Sequence, residues 1–479
     1  MANLLCLVNN KIDDKQFTYF FGVYHLLNAI VSGENTYKAY KFNFNKQLNY
    51  SYKKALWHKD YHNGLISFTA IKPEETSSKR PIVIITDTWE PHIAGVTRGT
   101  KSILEALKAQ GYYVEMITPN DLPGIKSKRI EHGRMKIALS PGNRKRIKKL
   151  LKDINPIGAY IVTEGPIGVN AVKEFKVKGQ PYTSSYLTQW PQLISTYFRE
   201  ILTKLHLKKD KNKKGSISKH IENTVLKGLR WFHNSANATM VTAASMRDFL
   251  IQNGFTKVTK WSRAVDTEMF NPNHRIRDGG FVFKDYKTAK TVTTEEGKYK
   301  ILGYIGRISP DKNLDILLKL SKEKDMSINN GNYKVVVVGP PNTLINMDKL
   351  RKEYPNVIFA GPKNHDELPQ YFANFDVFVF PSQKDTFGIV QIESLACGTP
   401  VAAYFTNGPK DIIKSEKVGA LEKDLNKPLN EVIKKALELN RNDCREYILN
   451  NPQYSWKKAA KDLADNMEKI SDGAFNYFA

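Results

Sequence analysis

Two acidic side chains stand eight residues apart in the stretch VFVFPSQKDTFGIVQIESLACGTPVAAY, which covers residues 377–404. Asp385 follows an apolar run typical of a buried strand, and Glu393 lies further along, on a predicted helix. Carboxylates in these places can accept hydrogen bonds from the hydroxyls of a sugar. The plain alternative is a helix with an N-terminal Asp cap and one exposed Glu.

The residues between the two acids favour a ligand. Phe387, Gly388 and Ile389 are predicted to begin the helix, where backbone amides are free to donate to hydroxyls or to an anion. Gly388 lets a ligand approach the backbone closely. A carboxylate at Glu393 can accept both hydroxyls of a ribose. We therefore interpret the two acids as hydroxyl acceptors rather than as a general acid–base pair.

Two cations follow an earlier apolar strand. Gly306 and Arg307 come directly after that strand, and Lys312 stands at the start of the next predicted helix. Two positive charges beside a helix N-terminus form a suitable binding site for a diphosphate. The alternative is that the two residues are ordinary surface charges. Together with the two acids, the pair indicates a site for a charged, hydroxyl-bearing ligand.

The pattern of elements explains how these residues could meet. A series of strand, loop, helix and strand is predicted to begin at Pro81, and a similar series begins at Tyr299. A helical stretch at 217–253 lies between the two series. The polar segment 275–298 is interpreted as a hairpin or an insertion. Alternating strands and helices predict parallel, doubly wound α/β sheets, and 479 residues are too many for one core. We expect two such domains, with a ligand cleft at the carboxyl ends of the strands.

The chain is strongly basic, with a formal net charge of +25. One predicted helix concentrates this charge: apolar residues recur at helical spacing, while basic residues occupy the other faces. The apolar set is Ile147, Leu150, Leu151 and Ile154, and the basic set is Arg144, Lys145, Lys148, Lys149 and Lys152. Three interpretations stay open: a solvated face, a surface for anionic lipids, or a contact with a nucleic-acid backbone.

The cysteines and the hydropathy of the chain indicate in which cellular compartment the protein is expected. Cys6, Cys397 and Cys444 are far apart without metal-ligand spacing, which favours a reducing cytoplasm, and Cys397 is expected in the core. The chain contains no run of eighteen apolar residues, and its first residues form a poor signal peptide. We expect a cytoplasmic protein, with peripheral association at the inner membrane face as an extension of the lipid interpretation.

Several motifs resemble those of the family 4 retaining glycosyltransferases, which have the GT-B fold. They are TDTWEPHIAGVTR (86–98), VTEGPIGVNA (162–171), TSSYLTQWP (183–191), WSRAVDTEMFNP (261–272), GYIGRISPDKNL (303–314), the acid-x7-acid stretch at 377–401 and YSWKKAA (454–460). The Asp-Thr-Phe-Gly form of the stretch is similar to that of GDP-mannose-dependent members. UDP-glucose is the next donor to consider.

The resemblance implies a domain plan. Two Rossmann-like domains would face a central cleft: residues 79–265 on the acceptor side and residues 266–452 on the donor side. Residues 453–479 would form a helix that crosses back to the first domain, and residues 1–78 would be an extension of unknown role.

The resemblance also implies site roles. Arg307 and Lys312 would neutralise the leaving diphosphate, Asp385 would hold sugar hydroxyls, and Glu393 would hold the ribose. The full set implied for the donor is Gly95, Gly306, Arg307, Lys312, Asp385, Phe387, Gly388, Ile389 and Glu393, with Arg307, Lys312 and Asp385 as the catalytic residues. Transfer would need no metal and no other cofactor, and it would retain the anomeric configuration.

One residue departs from the family pattern. Members carry a His where this chain has Leu187, and Leu can neither donate nor accept a hydrogen bond. Three explanations are open. A neighbour such as Tyr186, Thr188 or Gln189 replaces the His, the acceptor requires a different side chain along its binding site, or transfer is lost and only sugar-nucleotide binding remains. Ala264, where members have Gly, is a milder change.

The acceptor is left open by the sequence. His92, Glu164, Tyr186, Leu187 and Gln189 are the acceptor-side candidates, and a turn histidine is the alternative for His92. We expect hexose transfer to a lipid or glycan at an anionic membrane surface. The rivals are transfer to nucleic acid, such as a modified DNA base, and a sugar-nucleotide-binding protein without transfer.

Overall fold

The computed structural model describes the greater part of the chain after residue 80. The described residues are 81–91, 95–126, 136–138, 140, 142–179, 181–191, 194, 211–261, 263–276, 279–294, 299–323, 328–342 and 345–471. The predicted extension 1–78 and the candidate His92 lie outside this set.

The first half of the described chain forms a six-stranded sheet, here called the N-terminal sheet. Its strands are parallel throughout and run in the order β2-β1-β5-β6-β7-β8, and a separate antiparallel pair joins β3 to β4. The bounds are β1 Ile82–Ile85, β2 Val114–Ile117, β3 Ile125–Lys126, β4 Lys136–Ile137, β5 Gly158–Ile161, β6 Thr183–Ser185, β7 Ala238–Val241 and β8 Val258–Lys260.

The second half repeats this architecture in the C-terminal sheet. Six parallel strands run in the order β13-β12-β11-β14-β15-β16, and β9 pairs with β10 as an antiparallel hairpin, which confirms the prediction for 275–298. The bounds are β9 Val282–Lys284, β10 Thr291–Thr293, β11 Lys300–Ile305, β12 Tyr333–Val338, β13 Ile358–Gly361, β14 Val377–Phe380, β15 Val401–Tyr404 and β16 Gly419–Glu422.

Helices connect the parallel strands, as crossover connections require. They are α1 Gly95–Ala109, α2 Asn143–Ile154, α3 Pro166–Lys178, α4 Lys211–His233, α5 Ala244–Gln252, α6 Asp315–Glu323, α7 Met347–Glu353, α8 Leu368–Asn374, α9 Ile389–Ala396, α10 Pro409–Ile412, α11 Asn430–Leu437, α12 Arg441–Leu449 and α13 Trp456–Ser471. The two sheets with their helices confirm the predicted α/β class.

The prediction of a helical stretch over 217–253 is wrong in its middle. Helix α4 ends at His233, and the next residues form β7, an internal strand of the N-terminal sheet, before α5 begins. The strand is short and pairs with β6 and β8, so its state is set by sheet neighbours that a local pattern does not reveal.

Each sheet has a topological switch point, where successive connections leave in opposite directions. In the N-terminal sheet it lies between β1 and β5, and in the C-terminal sheet between β11 and β14. The carboxyl ends of these strands open a crevice that is the usual ligand site of such sheets. The chain after β11 and the chain after β14 therefore meet at one edge.

The last helix joins the two halves. Helix α13 follows the C-terminal sheet in sequence but packs on α1 and β5 of the first half. Its buried residues Ala460, Leu463 and Met467 share a core with Ile84 and Tyr160. The Trp261 indole N–H donates to the Ala459 carbonyl at 2.9 Å and fixes the helix in place.

Gly303 gives a direct test of packing in the C-terminal sheet. It lies on central strand β11, where an added Cβ would stand 2.1 Å from Cδ2 of Phe375. We expect Gly303→Ala to lower the stability of this half by about 1 to 3 kcal/mol, because the ring and the strand are both buried. Urea unfolding followed by circular dichroism measures the change.

Gly142→Ala is the matched control, because nothing lies within 4 Å of a Cβ added there and its φ is −79°. An equal urea midpoint for Gly303→Ala and wild type would contradict the packing described for β11.

Candidate functional site

Lys312 and Asp385 form an ion pair at the switch point of the C-terminal sheet. The Lys312 ammonium lies 2.6 Å from Oδ1 and 2.8 Å from Oδ2 of Asp385. Lys312 ends a 3-10 turn, Pro310–Lys312, in the chain that follows β11, and Asp385 lies in the loop after β14. The neighbouring strands thus bring together two predicted site residues that are 73 positions apart.

The ion pair keeps the carboxylate charged. Burial is the largest single influence and acts to raise the pKa of Asp385, but the Lys312 ammonium, together with other neighbours that include the Arg307 guanidinium, holds the pKa below its ordinary 3.8. An ionised carboxylate is a strong hydrogen-bond acceptor, which is what a sugar hydroxyl requires.

Arg307 lies in the same loop and is about half exposed. Its Nη2 atom is 3.8 Å from Oδ2 of Asp311, and the Lys312 ammonium is 3.9 Å from the same oxygen. The Tyr304 hydroxyl donates to the Arg307 carbonyl at 2.8 Å and fixes the backbone just past Gly306. The loop after β11 therefore presents two cations held by short-range contacts.

Gly388 shapes the beginning of α9. It has a φ of +80°, which disfavours side chains, and an added Cβ would lie 2.6 Å from Nε2 of Gln391. The helix begins at Ile389, two residues after the buried Phe387, and no side chain caps its first turn. Backbone N–H groups at this end are therefore available to a ligand beside Asp385.

Glu393 lies further along α9 and is only 4% exposed. Its Oε1 atom lies 3.3 Å from Nε2 of His365, a residue that sequence reasoning missed. His365 stands in the loop that follows β13, and its ring packs 5.1 Å from that of Phe270. A buried carboxylate has capacity for further donors, and this one stands on the same helix as the free amides.

On the N-terminal side, Asp87 ties the loop after β1 to helix α3. Its carboxylate accepts from the backbone N–H of Ile167 at 2.5 Å and of Gly168 at 3.1 Å. Burial nonetheless raises the pKa of Asp87 to about 6. Gly165 makes the contact possible, since a Cβ there would lie 2.4 Å from Cγ of Asp87.

Glu164 lies just after β5 and is 3% exposed, so the predicted acceptor-side residue is buried. Oε2 accepts from the Trp190 indole N–H at 3.0 Å, and Oε1 lies 3.1 Å from Nε2 of His233. Nδ1 of His233 in turn lies 2.9 Å from Oγ of Ser184. This acid–His–Ser chain is buried throughout, so it positions Trp190 and offers no exposed nucleophile.

The loop that contains Trp190 reaches the donor side. Oγ1 of Thr386 donates to the Leu187 carbonyl at 2.9 Å, and Nε2 of Gln189 donates to the Asp385 carbonyl at 2.9 Å. Two side chains therefore link this loop of the first half to the residues that carry the ion pair. Tyr186, the remaining candidate, is wholly buried against His233.

Gly95 is the first residue of α1 and is exposed. The Gly95 carbonyl lies 3.5 Å from Nη2 of Arg263, another residue that the sequence analysis did not select. Near this point a second link joins the halves, because the Asp411 carboxylate of α10 accepts from the backbone N–H of Ser245 at 3.2 Å and from its hydroxyl.

The described part of the chain bears on metal binding and on membrane spans as well. In those residues, no group of three or more His, Cys, Asp or Glu side chains is placed to hold a metal ion. None of the described helices is long and apolar enough to cross a bilayer.

Comparison with protein families matches both halves. The family described as "Glycosyltransferase Family 4" matches residues 93–269, and that described as "Glycosyl transferases group 1" matches residues 285–453. The chain belongs to the group 1/family 4 glycosyltransferases. It is therefore an enzyme that transfers a sugar from a nucleotide-sugar donor, as the motifs predicted.

The relatives whose names state an activity share only a low sequence identity with this chain. A GDP-mannose-dependent alpha-mannosyltransferase of Mycobacterium tuberculosis is 24% identical over 356 residues, which cover 71% of this chain and 83% of the relative. A sulfoquinovosyl transferase of Arabidopsis thaliana is 27% identical over 292 residues, which cover 60% of this chain and 49% of the relative.

Solved structures support the fold. Sucrose-phosphate synthase of Thermosynechococcus elongatus superposes with a TM-score of 0.60 at 16% identity, over 83% of this chain and all of the other. HepE of Anabaena, in complex with UDP and glucose, gives a TM-score of 0.54 at 14% identity, over 81% and 100% of the two chains. The glycosyltransferase has the GT-B fold that the resemblance predicted.

Thr386→Val tests the link between the two sides of the site. Valine keeps the shape of threonine but removes the hydroxyl that donates to the Leu187 carbonyl. We expect kcat/KM to fall by about 3- to 10-fold, the value of one hydrogen bond, because the loop loses its anchor on Asp385–Thr386.

Thr293→Val, a β-branched replacement in hairpin strand β10, is the control. Steady-state kinetics with the natural donor measures both variants. A kcat/KM for Thr386→Val equal to that of the control would show that the contact has no part in the reaction.

Proposed function

We propose that the glycosyltransferase moves a hexose, mannose or glucose, from a nucleoside-diphosphate sugar to a lipid or glycan acceptor at an anionic membrane surface. We further propose that transfer retains the anomeric configuration and is independent of metal. The observation that carries the proposal is the ion pair of Lys312 and Asp385 at the switch point, beside the buried Glu393.

The charges in the cleft are suited to cleavage of the bond between the sugar and the diphosphate. When the anomeric carbon leaves the diphosphate oxygen, negative charge develops on the diphosphate while the acceptor oxygen bonds to the sugar. Arg307 and Lys312 are fixed cations that would stabilise this charge without reorganisation. The N–H groups at the start of α9 would add their dipoles. These groups favour the transition state over the bound ground state, which is the requirement for catalysis.

The same geometry assigns different residues to different parts of the donor. Asp385 would accept hydrogen bonds from sugar hydroxyls, and Glu393 would accept those of the ribose. In the structure, Lys312 bonds to Asp385 at 2.6 Å, so an incoming diphosphate would share the ammonium with that carboxylate. This arrangement connects sugar recognition to leaving-group stabilisation.

GDP-mannose is the donor that we propose first. Three relatives, each from a different species, are named GDP-mannose-dependent alpha-mannosyltransferases, at 22 to 24% identity. The Asp-Thr-Phe-Gly form at 385–388 agrees with that subgroup. UDP-glucose is the second donor that we propose to test.

A basic surface supports the membrane proposal. On α2, Ile147 and Leu151 are buried, whereas the basic residues Lys145, Arg146, Lys148, Lys149 and Lys152 are exposed. Helix α3 packs beside it and adds Lys176 and Lys178 around Val177, which is 73% exposed. Lysines around an exposed aliphatic side chain are suited to the headgroup region of an anionic bilayer. An acceptor lipid would then meet the cleft at the membrane surface.

Glu393→Ala tests the donor site. Purified protein is incubated with GDP-mannose, UDP-glucose and related sugar nucleotides, and binding and slow hydrolysis are followed by calorimetry and chromatography. We expect one donor to bind and to be hydrolysed, and Glu393→Ala to weaken its binding about 100-fold, because the ribose loses a buried charged acceptor. Glu438→Ala, an exposed carboxylate, is the control.

Two results would count against this proposal. If wild type binds none of the donors, the site is wrongly assigned. If a donor binds but neither wild type nor Leu187→His transfers or hydrolyses it with candidate acceptors present, the chain is a sugar-nucleotide-binding protein.

Charge reversal tests the basic surface. We expect the change of Lys145, Lys148, Lys149 and Lys152 to Glu to abolish co-sedimentation with phosphatidylcholine vesicles that contain about one third phosphatidylglycerol. The same four-charge reversal at the exposed lysines Lys414, Lys417, Lys423 and Lys427 of the C-terminal half is the matched control.

Donor hydrolysis should be equal in the two variants, since neither set lies in the donor site. Equal vesicle binding by both variants would contradict the proposed surface. Binding to duplex DNA that survives physiological salt, without vesicle binding, would favour the nucleic-acid alternative.

A further inference from the structure

Arg263 is a buried arginine without an ion pair among the described residues. It follows β8, and only 9% of its surface is exposed. Among the described residues, its hydrogen bonding is limited to the 3.5 Å contact from Nη2 to the Gly95 carbonyl, and none of the described carboxylates forms an ion pair with it within 4.0 Å. Since a buried charge is costly without a partner, this position calls for an anion.

The chain provides a slot for the guanidinium on helix α1. A Cβ added at Gly99 would stand 2.3 Å from Nη2 and 2.8 Å from Cζ of Arg263. Glycine within a helix costs about 1 kcal/mol relative to alanine, so its place here has a packing reason. The absence of a side chain at Gly99 lets the guanidinium lie directly against the first turns of α1.

The surroundings of Arg263 belong to the cleft. A pocket that both halves line contains Arg263, Trp261, Phe387 and Asp411, and the Asp411 carboxylate is already engaged by Ser245. The Glu393 charge acts on Arg263 through space, although the two form no ion pair. Arg263 thus lies against the first turns of α1, in a pocket that the second half also lines.

A second arginine at the same helix end also has an unpaired donor atom. Nε of Arg98, in the first turn of α1, is buried without a hydrogen-bond partner among the described residues. The first N–H groups of the helix have no partner within α1. Two arginines and a helix N-terminus together form an anion site of the kind that binds phosphate.

We propose that Arg263 binds the diphosphate of the sugar nucleotide, as a third donor-binding cation supplied by the first half of the chain together with the N-terminus of α1. The inference rests on the proposed donor site. Lys312 and Arg307 belong to the second half, so a diphosphate held by Arg263 as well would bridge the two halves. Arg263 therefore contributes to donor affinity through the diphosphate and not through the base or the sugar.

Arg263→Met tests the inference by comparing two ligands. Calorimetry is done with GDP or UDP, whichever binds wild type, and with the corresponding nucleoside. We expect the dissociation constant of the nucleoside diphosphate to rise about tenfold or more, because a charge-assisted contact is lost, and that of the nucleoside to stay unchanged. Arg247→Met, an exposed arginine on α5, is the control.

Thermal unfolding without ligand separates this role from a structural one. A buried unpaired cation destabilises the empty protein, so Arg263→Met should keep or raise the melting temperature while it weakens diphosphate binding. An arginine that serves only to hold the cleft together would lower the melting temperature and weaken both ligands equally, and that result would overturn the inference.

Gly99→Ala provides a second route if Arg263→Met does not fold. The added methyl displaces the guanidinium and should weaken diphosphate binding without affecting nucleoside binding. Unchanged diphosphate affinity in either folded variant would refute the role of Arg263 and leave the proposed function standing. A wild-type protein that binds no nucleoside diphosphate would instead refute the proposed function.

Discussion

The contact between the Lys312 ammonium and the Asp385 carboxylate is the point on which the rest of the site depends. It joins the loops that follow two adjacent parallel strands, and it helps to keep a largely buried carboxylate ionised. Burial alone would raise the pKa of Asp385 and favour its neutral form, so the ion pair is what keeps this carboxylate available as an acceptor. The fold therefore maintains a charged, preorganised site at the place where open parallel sheets bind ligands.

The two halves are connected through the backbone of that same site. Thr386 and Gln189 join the loop at Leu187 to the loop at Asp385, and the Glu164–His233 chain holds Trp190 beneath it. The acceptor-side loop is thus positioned by the donor-side residues. Leu187 takes part through its carbonyl, which any side chain would leave available.

Much of the fold was predictable because its signals are local. Buried strands such as β14 read as apolar runs, and the acid-x7-acid spacing placed Asp385 and Glu393 on either side of a helix start. The alternation of strands and helices implied parallel sheets, whose carboxyl edges bring together residues after different strands. Strand β7 was missed because its state comes from sheet neighbours.

The parts of the site that were missed depend on long-range contacts. His365 meets Glu393 from the loop after another strand, and Arg263 meets α1 from the end of the first sheet. No spacing in the sequence marks either residue, and the reason for glycine at Gly99 appears only when the guanidinium is seen against it. Burial of Glu164 and Tyr186 was equally invisible, since a residue just after a strand can face either the cleft or the core.

A crystal structure of the glycosyltransferase with a bound nucleoside diphosphate tests the central claim most directly. The account predicts ribose hydroxyls within hydrogen-bond distance of Glu393 and diphosphate oxygens against Lys312 and Arg307, with the Asp385 carboxylate turned toward the sugar position. A nucleotide bound elsewhere, with Lys312 and Asp385 still paired and Glu393 making no contact with the ribose, would contradict it.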